Sequence, residues 1–140
     1  MNGATADKKM ALLWLKIAVV YLLIGVIYGI VMAASHQYVF RSVHAHINLL
    51  GWASLALAGL MYHLYPVAAR SRLGRIHFYL HNGGLPVLLL TLHFYAGGMR
   101  QLEPLVAVAS VVVGFGILAF AVNVMMNMKV VMTAGNIDSA

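Results

Sequence analysis

Residues 43–65 read VHAHINLLGWASLALAGLMYHLY. As a helix rising roughly 1.5 Å per residue, this stretch is long and apolar enough to cross about 30 Å of hydrocarbon, yet it opens on His44, His46 and Asn48. Polar residues inside a membrane are expensive and mark ligand sites or proton paths, so the imidazole pair points to function. Three more apolar stretches accompany it, at 10–34, 75–97 and 104–128. With a mean hydropathy of +0.90 and 9% charged residues, the chain reads as an integral membrane protein in contact with the lipid bilayer. Short connections make successive helices antiparallel. The predicted fold is all-α, an integral membrane four-helix bundle in which residues 1–140 form a single membrane domain.

Basic residues near the helix ends orient this bundle. Lys8, Lys9, Arg70, Arg72, Arg75 and Lys129 fall on one side, Arg41 and Arg100 on the other. The positive-inside bias then places both termini in the cytoplasm. The expected location is a bacterial inner membrane, with multi-pass topology. The formal charge of +6 reflects this asymmetry, and no soluble basic face remains for nucleic acid. Lys8 and Lys9 before the first apolar stretch imitate a signal peptide, but the apolar run is too long for one. The polar tails, 1–8 and 133–140, read as short and mobile.

The topology sorts the histidines into two layers. His36, His44, His46 and His93 lie toward the outer surface, and His63, His77 and His81 toward the inner one. At about 100° per residue, His44 and His46 differ by roughly 200°, which suits two sites flanking one helix better than one chelate. His77 and His81, at i and i+4, share a face as two ligands of one metal would, and with His63 they make a candidate second metal site. Seven histidines and no cysteine restrict metal chemistry to nitrogen ligands and exclude thioether attachment of a haem.

The outer layer carries what a haem b requires. His44 or His46 supplies an axial nitrogen, with His93 as the reserve ligand. Gly51, Trp52, Ala53, Phe94 and Tyr95 are candidate walls, and Asn48 stands beside the pair. Arg41 and Arg100, with Tyr38, face the same surface, where a guanidinium fork suits a propionate carboxylate. Copper on the same imidazoles is the competing reading. Met125, Met126 and Met128 read as packing or lipid contact, and Asn123 and Asn127 as bonds across helices. Small-residue pairs at 25 and 29, 54 and 58, and 110 and 114 mark helix contacts. The acids Asp7, Glu103 and Asp138 all lie outside the apolar stretches, so no hydrolytic triad can be assembled. Glu103-Pro104 reads as a helix start.

The segment Arg41-Ser-Val-His44-Ala-His46-Ile-Asn48-Leu-Leu-Gly-Trp52, continuing to Gly59-Leu-Met-Tyr62 and Pro66, resembles the second helix of the large subunit of the haem-copper oxidase superfamily, nitric oxide reductases above all. The chain is thus similar to one four-helix arc of that twelve-helix subunit. The resemblance implies that His44 and His46 serve two haems on opposite sides of one helix, and that a homotrimer rebuilds the ring. The superfamily's His-Pro-Glu-x-Tyr pattern, adjacent histidine pair and catalytic glutamates are not found. The implied function is therefore a membrane cytochrome b, for electron transfer or interaction with a diatomic gas such as O2 or NO, with an oxidoreductase of reductase type as its enzymatic limit. The alternatives are a copper-handling or assembly membrane protein without haem, and a structural accessory subunit.

Overall fold

The computed structural model describes residues 3–128, with side chains from residue 9 onward. Every regular element in it is helical. α1 runs Gly3–Ala34, so the helix includes most of the expected polar N-terminal tail. Its turn closes with His36 at φ 55°, a left-handed position that histidine enters more readily than bulky or branched residues. The second apolar stretch is composite: α2 (Arg41–His46), a π-helical segment (Ile47–Ala53) and α3 (Ser54–Leu64). A short α4 (Pro66–Arg70) turns the chain into α5 (Arg72–Ala96), and α6 (Glu103–Asn127) starts at Glu103-Pro104, as its sequence requires. Lys129, Asp138 and the tail at 133–140 lie outside the described residues.

Among the described residues, three helical segments are long and apolar enough to cross a membrane: Lys9–Ala34, Tyr38–Leu64 and Arg100–Asn127. The fourth expected segment, α5, is not among them, because Arg72, Arg75, His77, His81, Asn82 and His93 lower its hydropathy. α5 is organised inside out. Its buried stripe, Gly74, His77, His81, Gly84, Leu85, Leu88 and Thr91, holds polar groups, whereas Ile76, Tyr79, Val87 and Leu90 face outward. Helical spacing at i+3 and i+4 produces that separation.

α1 lies along the π-helical segment and α3, and α5 lies along α6. The two pairs meet in one core of Trp14, Ala18, Leu55, Ala58, Tyr62, Ala68, Leu85, Leu88, Ala109 and Val113. Small residues set the approach. A Cβ on Gly84 would stand 3.0 Å from Val112 and Val113, and one on Gly116 would stand 3.0 Å from the His81 backbone nitrogen. Ser110 is exposed and nothing lies within 4 Å of a Cβ on Gly114, so that pair makes no contact within the chain. Met125 is 87% exposed and Met126 61%, which fits lipid contact.

The α4–α5 corner is tied by side chains. Ser71 caps α5 by accepting from the Gly74 backbone N–H at 2.9 Å. Asn123, fully buried, donates to the Ala68 carbonyl at 2.9 Å and accepts from Asn127 at 2.7 Å and from Ser71 Oγ at 2.9 Å. At Gly74 a Cβ would fall 2.6 Å from the Ala68 carbonyl oxygen and 2.8 Å from that of Ala69. Backbone cannot yield as a side chain does. Gly74→Ala is expected to destabilise the protein by about 1–3 kcal/mol, measured as a lowered thermal midpoint in detergent; an unchanged midpoint would show that this corner is loose.

Candidate functional site: two histidine layers

The outer layer is built where α2 passes into the π-helical segment. In that segment the Ser54 backbone N–H bonds to the Leu49 carbonyl five residues back, and Ser54 Oγ donates to the same oxygen at 2.8 Å. Wide turns of this kind concentrate at functional sites. Val43, Ile47, Gly51 and Leu55 are buried at a constant spacing of four, and Tyr21 of α1 lies against Gly51. That unbroken i+4 run was the sequence signal for the wide turn, because an ordinary helix needs i+3 steps to hold one face.

His44 and His46 go different ways. His44 lies on α1, its Cε1 2.7 Å from where a Gly29 Cβ would stand, and Asn48 fits over Gly25 in the same manner. Asn48 Nδ2 donates to the His44 carbonyl at 2.9 Å and stands 3.4 Å from His44 Nδ1. The pair Gly25 and Gly29 is thus a contact within the chain, shaped for two polar side chains. His46 turns back along its own helix, with Nδ1 2.7 Å from the Ser42 carbonyl. A carbonyl only accepts, so Nδ1 carries the proton and Nε2 keeps its lone pair. That Nε2 has no hydrogen-bond partner among the described residues, and the ring is half-buried.

His93 is held from α1. Its Nδ1 lies 2.8 Å from Tyr28 Oη, and its ring stacks on Phe40 with centroids 4.7 Å apart and planes 15° apart. Beside it is a cavity of about 260 Å³ lined by Tyr28, Val31, Met32, Ser35, Gln37 and Phe40. This is below the roughly 300–1,000 Å³ usual for cofactor pockets, and neither His44 nor His46 lines it. The pairing of His46 with His93 inside one chain is therefore not formed there. Arg100 lies over the Tyr95 ring, 4.8 Å from its centroid. Arg41 is exposed at the start of α2, Trp52 packs half-buried against the core, and Phe94 stands edge-on to His93 at 5.3 Å.

The inner layer is a closed hydrogen-bonded chain. His81 Nε2 lies 3.0 Å from the Leu50 carbonyl, His81 Nδ1 lies 3.2 Å from His77 Nε2, and His77 Nδ1 lies 2.9 Å from Tyr62 Oη. The carbonyl fixes every proton. His81 Nε2 must donate to it, so His81 Nδ1 accepts from His77 Nε2, and His77 Nδ1 accepts from the Tyr62 hydroxyl. The Tyr62 oxygen accepts in turn from Asn123 Nδ2 at 3.4 Å. In this neutral form each imidazole has both nitrogens used. The His77 ring lies between Trp14 at 4.6 Å and Phe120 at 4.8 Å.

The three histidines of the candidate second metal site are not brought together. His77 and His81 spend their lone pairs on protein partners, whereas His63 is exposed at the end of α3. Tyr62 takes the inward position, and its neighbour is rotated away by about 100°. Among the described residues no three of His, Cys, Asp and Glu gather closely enough to hold a metal ion. The bonding roles of Tyr62, Tyr28 and the Leu50 carbonyl are not legible in the sequence, since each depends on a partner across the fold, and that of the Ser42 carbonyl depends on the orientation of the His46 ring.

No protein-family model matches the chain. No match was found among curated proteins or among solved structures.

Proposed function

We propose that this protein is a haem b-binding integral membrane cytochrome in which His46 Nε2 is an axial ligand. One observation carries the reading: His46 Nδ1–H is fixed to the Ser42 carbonyl at 2.7 Å, leaving the Nε2 lone pair without a partner on a half-buried face. Metal-binding histidines are characteristically held this way, since the second bond sets the tautomer, orients the ring and raises its basicity. The donor set therefore fits a haem on its imidazole side. Bound there, the haem would supply one-electron chemistry or a site for a diatomic gas.

In this reading α5 is a fourth span and the helices form a four-helix bundle with both termini cytoplasmic, in a bacterial inner membrane. The cavity beside His93 is too small for a tetrapyrrole, which favours a site on the outer face of α2, closed by a second copy of the chain. His44 or His46 of that copy would give the opposite ligand. A closed ring, trimeric by the resemblance of residues 41–52 to the haem-copper oxidase segment, would repeat the site at each interface. Arg41, exposed at the same end, and Arg100 would neutralise propionates.

The purified protein is expected to be red, with reduced α and β bands, about one haem b per chain and an oligomeric mass in mild detergent. A colourless sample that takes up copper would replace this reading with the metal-handling one. A sample that binds neither would leave an accessory subunit. A monomer holding its full haem would remove the interface site.

A further inference from the structure

The outward face of α5 carries a feature unrelated to the histidines. Arg72, Arg75, Ile76, Tyr79 and Leu80 line an open depression of about 540 Å³ at the start of the helix. A second groove, of about 250 Å³, continues from Tyr79 and Leu80 along the seam with α6, past Gly83 and Val87 on one wall and Val108 and Val112 on the other. The two share Tyr79 and Leu80 and so form one track. Its floor is open at Gly83, where nothing lies within 4 Å of an added Cβ, while Gly84 next to it is closed against Val112 and Val113.

The track changes chemistry along its length. At one end are two exposed guanidinium groups with no carboxylate partner among the described residues; Glu103, the one acid with a described side chain, lies at the start of α6 near the opposite end of α5. At the other end the walls are aliphatic. Tyr79, 72% exposed, stands between the two, in the position aromatic side chains take at a membrane interface. From Tyr79 to Val87 the helix rises about 12 Å, and from Arg72 to Val87 about 22 Å. One leaflet contributes about 15 Å of hydrocarbon. A phosphate held at Arg72 and Arg75 would thus place an acyl chain along the groove to about the bilayer midplane.

We infer that the α5–α6 track is a binding site for one anionic glycerophospholipid, its phosphate held by Arg72 and Arg75 and an acyl chain lying in the Gly83 notch. Guanidinium groups match phosphate oxygens by paired hydrogen bonds, and two cations prefer a net negative headgroup to a zwitterionic one. The site rests on the reading of α5 as a fourth span and not on haem.

Native mass spectrometry of the purified full chain, titrated with dioleoyl phosphatidylglycerol or dioleoyl phosphatidylcholine, tests the assignment. The wild type is expected to hold the anionic lipid roughly tenfold or more tightly. Arg72→Gln with Arg75→Gln should abolish that preference and leave the two lipids alike. Gly83→Leu, which fills open space and leaves the fold intact, should weaken both lipids and preserve their ratio. Equal retention of both lipids by the wild type would overturn the site, as would a preference that survives loss of both arginines. Inorganic phosphate displacing the lipid at millimolar concentration would make this an anion site without a lipid. A change of oligomeric mass in Gly83→Leu with lipid binding unaltered would assign the face to a second copy instead.

Discussion

His46→Ala is expected to lose haem, with affinity falling by roughly two orders of magnitude or more, beyond the 10–100-fold typical of losing only a partner of a ligand. The reason is local and atomic. His46 alone among the outer histidines has a ring nitrogen fixed by a backbone carbonyl, at 2.7 Å, and its other nitrogen without a partner on a half-buried face. His44 is packed on Gly29, and His93 is held at 2.8 Å by the Tyr28 hydroxyl, which donates as readily as it accepts and so does not fix the tautomer as a carbonyl does. The order of effects should therefore be His46 first, His44 second and His93 last, with His63→Ala as an unaffected control. Haem content by pyridine haemochrome, normalised to protein, gives the reading. A His46→Ala protein that keeps its full haem and an unaltered bis-imidazole spectrum would remove the proposal, whatever the other variants show.

The second large effect lies in the buried chain. His77→Leu removes two hydrogen bonds, to Tyr62 and His81, and the stacking of the ring between Trp14 and Phe120. The Tyr62 bond joins two helices, where such bonds are worth about 0.6 kcal/mol on average and up to about 1.7; the His81 bond lies within α5 and is worth about 0.5–1.5, and aromatic contacts add about 0.5–1.5 beyond their area. The expected loss is thus about 2–4 kcal/mol, against roughly 0.5 kcal/mol or less for His63→Leu on the exposed face. Thermal or denaturant unfolding in detergent measures both. Tyr62→Phe should be partly redundant with His77→Leu in a double-mutant cycle, because both cut the same bond. Additive losses would mean that Tyr62 and His77 do not interact.

The inner histidines show how one spacing serves two chemistries. At i and i+4, His77 and His81 share a face as two metal ligands do, and they do share one. That face meets Tyr62 and the Leu50 carbonyl, so the lone pairs that a metal would need are taken by hydrogen bonds. The two patterns are identical in sequence. They separate only when the acceptors across the helix interface are known.

Residue order alone carries the three long apolar helices, the divergence of His44 from His46 and the helix start at Glu103-Pro104. Each depends on periodicity or local backbone preference, which neighbouring residues carry. Tertiary structure decided the rest: that Gly25 and Gly29 receive Asn48 and His44, that His81 reaches the Leu50 carbonyl of the π-helical turn, and that His93 is held by Tyr28. An imidazole has two nitrogens that exchange roles with the proton between them. Which one is left to bind anything is set by whichever acceptor or donor the fold brings within about 3 Å. For His77 and His81 that partner lies on another helix. For His46 it is the Ser42 carbonyl of its own turn, chosen by the ring's orientation.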